Sequence, residues 1–389
     1  MERFEKGINR KGTNCVKWDV PFVTEGVQPM WIADMDFEVA PAITENLKNI
    51  ASQGAFGYQF LSENYYQSII NWMERRHRYK VAREEICYVP NVVLGLSFAV
   101  QAVSEPGDEI IIQTPVYGPF FRVVEDNQRV LVESKLKEEN GYYTMDMEDF
   151  ERKITPKTKA VILCNPHNPS GRVWTKEELE QLAEICMRHH LYIISDDIHC
   201  ELVRAGQKHT FISSLSEEVR RRSIICTSPS KAFNLAGIHV ANCFISDEEL
   251  RGKFMEIAER SHAAENNAFV EAALCGAYDE SEEWLLAIND YLDQNIDYFV
   301  SYIEKEISGI KVRRPEGTYL VWADCRKLGI KEEGVREFLL DTCKIAVNDG
   351  EIFWKRRPRI CTLQFSVPIA ADKRCTGKSE ERNRNSLKN

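Results

Sequence analysis

Short apolar runs alternate with helical patterns between about residues 105 and 245. The runs are rich in β-branched residues and almost without polar alternation, and they span residues 109–113, 160–164, 192–195, 223–227 and 240–245. Strands of this kind are buried on both faces, and when helices separate them they form a mainly parallel sheet. The pattern therefore predicts an α/β fold in which helices cover both faces of a mainly parallel sheet.

Two predicted helices, one between the second and third runs and one before the first run, have recognisable limits. Thr175 and Glu178 have the spacing of a capping box, and a stripe of apolar residues at helical spacing follows them. A second helical pattern begins at Val92 and ends before the turn at residues 105–108. Further along, a long helical pattern covers about residues 283–306. The runs at 310–313 and 318–323 then predict strands of a smaller α+β unit.

Composition and charge exclude several classes of protein. The 389 residues are 43% hydrophobic and 28% charged, which is typical of a globular protein with a full core. A net charge of −10 argues against nucleic-acid binding as the main task. No apolar run approaches the roughly 18 residues of a membrane span, and the N-terminus lacks an apolar signal region, so a cytoplasmic protein without a membrane partner is expected. Twelve cysteines without a CxxC motif predict reduced, mostly buried thiols and no metal site.

Four of the predicted strands are each followed by a loop with a chemically distinctive side chain. Tyr117, Asn168, Asp196 and Lys231 follow the first four runs in that order. Taken singly, each has an ordinary structural explanation, such as a helix cap for the aspartate or a solvated charge for the lysine. Together they converge on one edge of a parallel sheet. A lysine, a carboxylate, an amide and an aromatic ring suit pyridoxal 5'-phosphate (PLP), whose aldehyde bonds a lysine and whose pyridine nitrogen pairs with a carboxylate.

With these motifs the chain resembles the fold-type I PLP-dependent enzymes of the class I/II aminotransferase family. It resembles most the MalY/PatB-like cystathionine β-lyase (C–S lyase) branch of that family. The resemblance runs from about residue 5 to 353, and its branch-specific segments are residues 9–13, 17–19, 31–37, 165–174, 195–199 and 315–319. It implies a homodimer with shared active sites that acts on a small amino-acid substrate. It also implies an N-terminal segment (1–47) joining the small domain, a PLP-binding large domain (48–290), a small domain (291–353) and an atypical tail (354–389).

The resemblance further implies a role for each candidate site residue. Lys231 would be the catalytic residue, bonding the cofactor and carrying protons. Asp196 would pair with the pyridine nitrogen and Asn168 with the phenolic oxygen. His199, where many relatives place tyrosine, would contact the cofactor, and Tyr117 would stack on its ring. The phosphate would be bound by the amides of Val92 and Val93, by Ser228 and Ser230, and by Tyr58 of the neighbouring subunit. The backbone of Ala33 would contact the substrate.

Two departures from the family pattern affect the choice of reaction. Aspartate aminotransferase-like members carry an arginine eight residues after the lysine, where this chain has His239. The family also has a C-terminal segment of the form Gly-aromatic-x-Arg-x-Asn-x-(Ala/Gly)-Cys-Pro, whose arginine binds the substrate α-carboxylate. This sequence lacks that segment. Residues 354–389 instead contain ten Lys and Arg against three Asp and Glu.

One hypothesis for the atypical tail is a frame shift. Permitted codons from Trp354 onward, read one base later, give GKEDRGYVRYNLACP, which contains the missing segment. We therefore expect residues 354–389 to be an out-of-frame tail produced by one extra base near codon 354. The alternative is a genuine divergent basic tail. In either case the loss of the carboxylate-binding arginine predicts weakened substrate binding.

Three functions are compatible with these residues. The leading prediction is a C–S β-lyase that cleaves cystathionine or cysteine S-conjugates to a thiol, pyruvate and ammonia. The runner-up is a class I/II aminotransferase, since both reactions use the same core residues. The third is a regulator or binding protein on the same fold, which the intact Lys231 and Asp196 argue against.

Overall fold

The computed structural model describes residues 2–330, 334–354 and 360–364 of the chain. Its strands are β1 Gln28–Pro29, β2 Ile86–Val89, β3 Glu109–Thr114, β4 Val130–Lys135, β5 Lys137–Glu139, β6 Tyr142–Thr144, β7 Thr158–Cys164, β8 Tyr192–Asp196, β9 Ser223–Thr227, β10 Ala241–Phe244, β11 Leu320–Asp324, β12 Ile345–Ala346, β13 Asn348–Asp349 and β14 Ile360–Gln364. Its α-helices are α1 Glu2–Glu5, α2 Pro41–Ser52, α3 Glu63–His77, α4 Val92–Val103, α5 Pro119–Asp126, α6 Met147–Arg152, α7 Lys176–Arg188, α8 Glu217–Arg221, α9 Glu248–Arg260, α10 Val270–Tyr278, α11 Glu282–Glu306 and α12 Val335–Glu337.

Seven strands form the central sheet, in the order β2-β10-β9-β8-β7-β3-β4. The neighbours from β9 to β4 pair in parallel, whereas β10 pairs antiparallel with both β9 and β2. Helices cover both faces, and one apolar core lies on each side of the sheet. The predicted α/β architecture with a mainly parallel sheet is therefore confirmed. Each of the five predicted strands is present, with ends that differ by no more than two residues.

The local sequence explains where the connecting helices begin. The Thr175 hydroxyl accepts a hydrogen bond from the Glu178 amide, and the Glu178 carboxylate accepts one from the Thr175 amide, which confirms the predicted capping box at the start of α7. At the start of α4, the Asn91 side chain accepts a hydrogen bond from the Leu94 amide at 3.0 Å. Each cap satisfies one first-turn amide, and in α4 the amides of Val92 and Val93 remain without an acceptor inside the helix.

A smaller domain packs against this sheet. Strands β11, β14 and β13 form its antiparallel sheet, and β1 of the N-terminal segment pairs in parallel with β12. Helix α11 runs without interruption through the predicted boundary at residue 290. Its first half packs in the large core, and Ile296, Phe299 and Ile303 pack in the small one. The predicted strand at residues 310–313 is wrong, because only an isolated bridge between Lys311 and Asp324 forms there.

Part of the predicted tail belongs to the small-domain sheet, since β14 pairs with both β11 and β13. Residues 355–359 and 365–389 of that tail lie outside the described residues. Every cysteine in the described part of the chain is a buried free thiol, as expected. None of the helices described is both long and apolar enough to cross a membrane.

Arg172 joins the large and small domains beside the loop that carries Asn168. Its side chain is buried, and its guanidinium lies 2.7 Å from the Glu316 carboxylate and 2.8 Å from that of Glu178. Its carbonyl oxygen accepts a hydrogen bond from the His167 amide at 2.7 Å. Since removing one member of a buried ion pair leaves the others uncompensated, this residue contributes to stability.

We expect Arg172→Met to lower the free energy of unfolding by about 3 kcal/mol, because both carboxylates lose their buried partner. Urea unfolding followed by circular dichroism measures the change. The matched control is Arg83→Met, since Arg83 pairs with Glu63 at 2.7 Å but both side chains are more than half exposed. The control should keep the midpoint of the original chain. Equal midpoints for the two variants would contradict this role for Arg172.

Candidate active site

A cavity of about 720 Å³ opens at the carboxyl edge of the sheet. Its wall contains ten of the eleven residues predicted for the site, which are Ala33, Val92, Val93, Tyr117, Asn168, Asp196, His199, Ser228, Ser230 and Lys231. The loops after β3, β7, β8 and β9 bring in the polar residues, and the start of α4 brings in the two valines. The structure therefore places these predicted residues in one cavity, as parallel strand ends require.

Lys231 lies in the loop after β9, with its amine directed into the cavity. Its Nζ donates a hydrogen bond to the carbonyl oxygen of Ala33 at 2.7 Å. Burial lowers the pKa of Lys231, although the charges of Asp34 and Asp196 act in the opposite direction. A lowered pKa increases the neutral fraction of the amine. Neutral amine is the form that attacks an aldehyde or accepts a proton from carbon.

Asp196 is the last residue of β8 and is buried at the cavity wall. One of its carboxylate oxygens accepts a hydrogen bond from the Ile198 amide at 3.1 Å. Burial raises the pKa of Asp196 to about 7, and the neighbouring charge of Asp197 also raises it. A partner that carries a positive charge, such as a protonated ring nitrogen, would stabilise the ionised carboxylate here.

Asn168 and His199 each present a buried polar atom without a hydrogen-bond partner among the described residues. These atoms are Asn168 Oδ1 and His199 Nδ1. Burial lowers the pKa of His199 to about 3, so the imidazole is neutral and can donate from one nitrogen and accept at the other. Burial also raises the pKa of Tyr117 to about 12, which keeps its phenol neutral. Polar atoms left unpaired in a cavity wall indicate a polar ligand.

An anion can bind at the end of the cavity formed by α4. Because Asn91 caps the helix at Leu94, the amides of Val92 and Val93 remain without an acceptor inside the helix. Ser228 Oγ lies 2.6 Å from the Val240 carbonyl oxygen and 2.8 Å from Ser230 Oγ. A helix N-terminus with hydroxyls beside it favours a phosphate group.

The donor set fits PLP on each of its functional groups. A buried amine is available to react with its aldehyde, and a buried carboxylate can pair with its ring nitrogen. A helix N-terminus can bind its phosphate. The unpaired atoms of Asn168 and His199 are available to its phenolic oxygen. The cavity therefore fits the cofactor that the residue pattern predicts.

The N-terminal segment closes one side of the cavity. Arg10 donates two hydrogen bonds to the Asp34 carboxylate, at 2.7 and 2.9 Å. The Asn234 side chain, from the loop of Lys231, accepts from the Met35 amide at 3.0 Å and donates to the Met35 carbonyl at 3.0 Å. These contacts fix the carbonyl of Ala33 beside the lysine.

Several cavity residues were not predicted from the sequence, among them Trp31, Asp34, Arg122, Asn348, Phe353 and Thr362. Trp31 and Asp34 lie in the branch-specific segment 31–37, which was a usable signal. Thr362 lies in β14, within the predicted tail, and its side chain is buried at the cavity wall. No local pattern marks it, because it reaches the cavity only through the small-domain sheet.

The side chains of Tyr58 and Arg122 do not point into the interior of the cavity. Tyr58, the eleventh predicted residue, is fully exposed and lies outside the cavity wall. Arg122 is the arginine among the described wall residues. Its side chain is 80% exposed, however, and lies 3.3 Å from Asp126. Among the described wall residues, no arginine side chain therefore reaches the interior of the cavity.

Comparison with known proteins agrees with a PLP-binding site in this cavity. Residues 32–364 match the family described as "Aminotransferase class I and II". Cystathionine beta-lyase PatB of Bacillus subtilis (strain 168) is 39% identical over 351 residues, which are 89% of this chain and 91% of PatB. Protein MalY of Escherichia coli (strain K12) is 31% identical over 374 residues, covering 95% of each protein. The crystal structure of cystalysin from Treponema denticola, which contains a pyridoxal 5'-phosphate cofactor, has a TM-score of 0.93 at 31% identity and covers 98% of both chains.

We expect Lys231→Ala to abolish the covalent attachment of PLP. The purified protein should be yellow and lose its visible absorption band on borohydride reduction, and the variant should show no reducible band. Absorption spectra before and after reduction test this. Lys253→Ala is the matched control, because Lys253 is an exposed lysine paired with Glu249. A reducible band of normal intensity in Lys231→Ala would rule out the assignment.

Proposed function

The chain belongs to the class I and II aminotransferase family, and on that premise we propose that it is a PLP-dependent carbon–sulfur β-lyase. Its substrates are cystathionine or cysteine S-conjugates, and its products are a thiol, pyruvate and ammonia. The observation that carries the proposal is the convergence of Lys231, Asp196 and Asn168 in one cavity. This convergence occurs in a chain that is 39% identical to a cystathionine β-lyase.

The cavity residues hold the cofactor and set its charge. PLP, when bound, supplies an electron-accepting ring that stabilises negative charge on the substrate α-carbon. Asp196 would hold a proton on the ring nitrogen, Asn168 and His199 would bind the phenolic oxygen, and Tyr117 would contact the ring. Val92, Val93, Ser228 and Ser230 would hold the phosphate. Ala33 directs its carbonyl toward the amine that reacts.

Lys231 moves the protons of the reaction. Its buried amine, with a lowered pKa, takes the proton from the substrate α-carbon at Nζ. The bond between the β-carbon and sulfur then breaks, and the sulfur leaves with the electron pair as a thiolate. Addition of one water to the remaining three-carbon fragment balances the reaction as pyruvate and ammonia. The apolar wall around the lysine, with Leu320 and Phe353, limits the access of water to the proton transfer.

Two observations favour the lyase over the aminotransferase. PatB, with 39% identity, bears the name of a cystathionine β-lyase. His239 stands where aspartate aminotransferase-like enzymes place an arginine, and it is not part of the cavity wall. The aminotransferase remains the second candidate, because the two reactions share the proton abstraction and differ only in the later steps.

The assembly that we propose is a homodimer with shared active sites. Tyr58 is fully exposed in a segment that is neither helix nor strand, and Phe60, two residues later, is 88% exposed. Large aromatic side chains that are exposed close together are typical of a subunit interface. The cytoplasmic location stays a prediction from the sequence.

Position 362 is where the described cavity lacks a carboxylate-binding group. In the shifted reading GKEDRGYVRYNLACP, the first letter replaces Trp354, so the arginine of the segment YVRYN falls on position 362. The chain has Thr362 there, buried in β14 at the cavity wall. The position of this arginine at the cavity wall supports the frame-shift hypothesis. We therefore propose that substrate binding is weakened in the chain as written.

The reaction class is tested by product formation from cystathionine. We expect pyruvate and ammonia without an added keto acid, more rapidly in a chain whose frame is restored at codon 354, and none in Lys231→Ala. Pyruvate is measured by coupling to lactate dehydrogenase. If no pyruvate forms, and amino transfer occurs only with a keto acid present, the enzyme is an aminotransferase.

We expect Thr362→Arg to lower the Michaelis constant for the amino-acid substrate at least tenfold. A buried guanidinium–carboxylate pair contributes more than about 1.4 kcal/mol to binding, which corresponds to that factor. Thr362→Met is the matched control, since it adds length without charge. Equal constants for the two variants would contradict the assignment of position 362. The nucleotide sequence at codons 354–368 is the independent check, because codons that exclude the shifted segment would refute the frame shift.

A further inference from the structure

Two consecutive aspartates stand at the end of β8, since Asp196 is its last residue and Asp197 follows directly. The Asp197 amide still donates to the carbonyl oxygen of Cys226 in β9, at 2.9 Å, and successive side chains of an extended segment point to opposite faces, so Asp196 and Asp197 are directed apart. Asp196 is part of the cavity wall, whereas Asp197 is fully buried on the side away from it. Two carboxylates so close in a buried environment cannot both ionise unless one of them has a cation beside it.

His209 is the basic side chain that lies beside Asp197. Its Nε2 lies 2.9 Å from Asp197 Oδ1, and the exposed fractions of the two side chains are 1% and 0%. Among the described residues, neither nitrogen of His209 and neither carboxylate oxygen of Asp197 makes a hydrogen bond. The ring of His209 packs edge-on against Phe211, with centroids 4.6 Å apart. The pair is thus held together by packing and shielded from water.

The other basic groups near the pair have a different partner. His77 lies beside His209, with ring centroids 6.0 Å apart, but its Nε2 is 2.6 Å from Glu201. Arg76 also contacts Glu201, at 3.5 Å. Other titratable groups whose charge would act on Asp197 are Cys164, Cys200, Cys226 and Tyr79. Burial raises the pKa values of Cys164, Cys200 and Tyr79, and the contact with Cys243, together with burial, raises that of Cys226. These groups are neutral and cannot compensate a carboxylate.

We propose that His209 is a positioning residue for the cofactor site, which acts by neutralising Asp197 so that Asp196 can carry the charge facing the ring nitrogen. Without a cation at position 209, the two aspartates share one negative charge. A proton then resides on Asp196 for part of the time, and the pairing with a protonated ring nitrogen weakens. The raised pKa of Asp196, to which Asp197 contributes, agrees with this coupling. The inference rests on the PLP site proposed above.

Equilibrium binding of PLP to the cofactor-free protein tests the proposal without any measurement of turnover. His209→Asn should weaken PLP binding at least tenfold at pH 7, and the loss should shrink as the pH rises to 8.5. The sign follows from the carboxylates, since a higher pH ionises both of them even without the cation. Asp197→Asn should keep the affinity within threefold of the original chain, and so should the double variant Asp197→Asn/His209→Asn. Melting temperatures of the cofactor-free proteins monitor folding separately.

The outcomes separate a charge effect from a merely structural one. Loss of affinity in Asp197→Asn equal to that in His209→Asn would overturn the proposal, because it would mean that the contact only maintains the fold. Unchanged affinity in His209→Asn would overturn it as well. Should His209→Asn fail to fold, a tenfold loss in the double variant is the result that refutes the proposal. Failure of the original chain to bind PLP would instead contradict the proposed function.

Discussion

The parallel pairing of four buried strands is the constraint on which the rest of the active site depends. Ile112, Ile162, Ile194 and Ile224 lie side by side in β3, β7, β8 and β9, and all are buried. Because each strand is covered on both faces, a change of register would displace apolar side chains along the whole row. The loops after these strands therefore begin at the same edge of the sheet. Each of them brings at least one polar side chain to that edge.

The charges at this edge are buried, and neighbouring contacts compensate them. Lys17 is fully buried and lies 2.9 Å from Asp36, while Arg10 binds Asp34 through both of its carboxylate oxygens. These pairs brace the N-terminal segment internally, and the Asn234 side chain holds the segment against the loop of Lys231 through the backbone of Met35. Because a buried ion pair is costly to break, the segment keeps the conformation in which the carbonyl of Ala33 meets the amine of Lys231.

The sequence predicted the sheet and the polar residues of the site because both have local signals. Continuous apolar runs mark β3, β7, β8 and β9, and the polar loops come directly after them. It could not predict contacts that arise only between distant elements. The strand predicted at 310–313 failed because an apolar pattern is insufficient without a full partner strand, and only one bridge with Asp324 forms. The contact between His209 and Asp197 likewise depends on the packing of Phe211, which no spacing in the sequence announces.

Strand β14 shows why a fold can survive a change that removes a binding group. Pairing with β11 and β13 requires backbone hydrogen bonds and apolar side chains on the core side, and Cys361 and Leu363 supply the latter. The side chain at position 362 points the other way, to the cavity, where the strand itself imposes no requirement of charge. A segment read in another frame can therefore still complete the sheet. Recognition of the substrate carboxylate needs one particular side chain at that position, whereas the architecture needs only a compatible pattern.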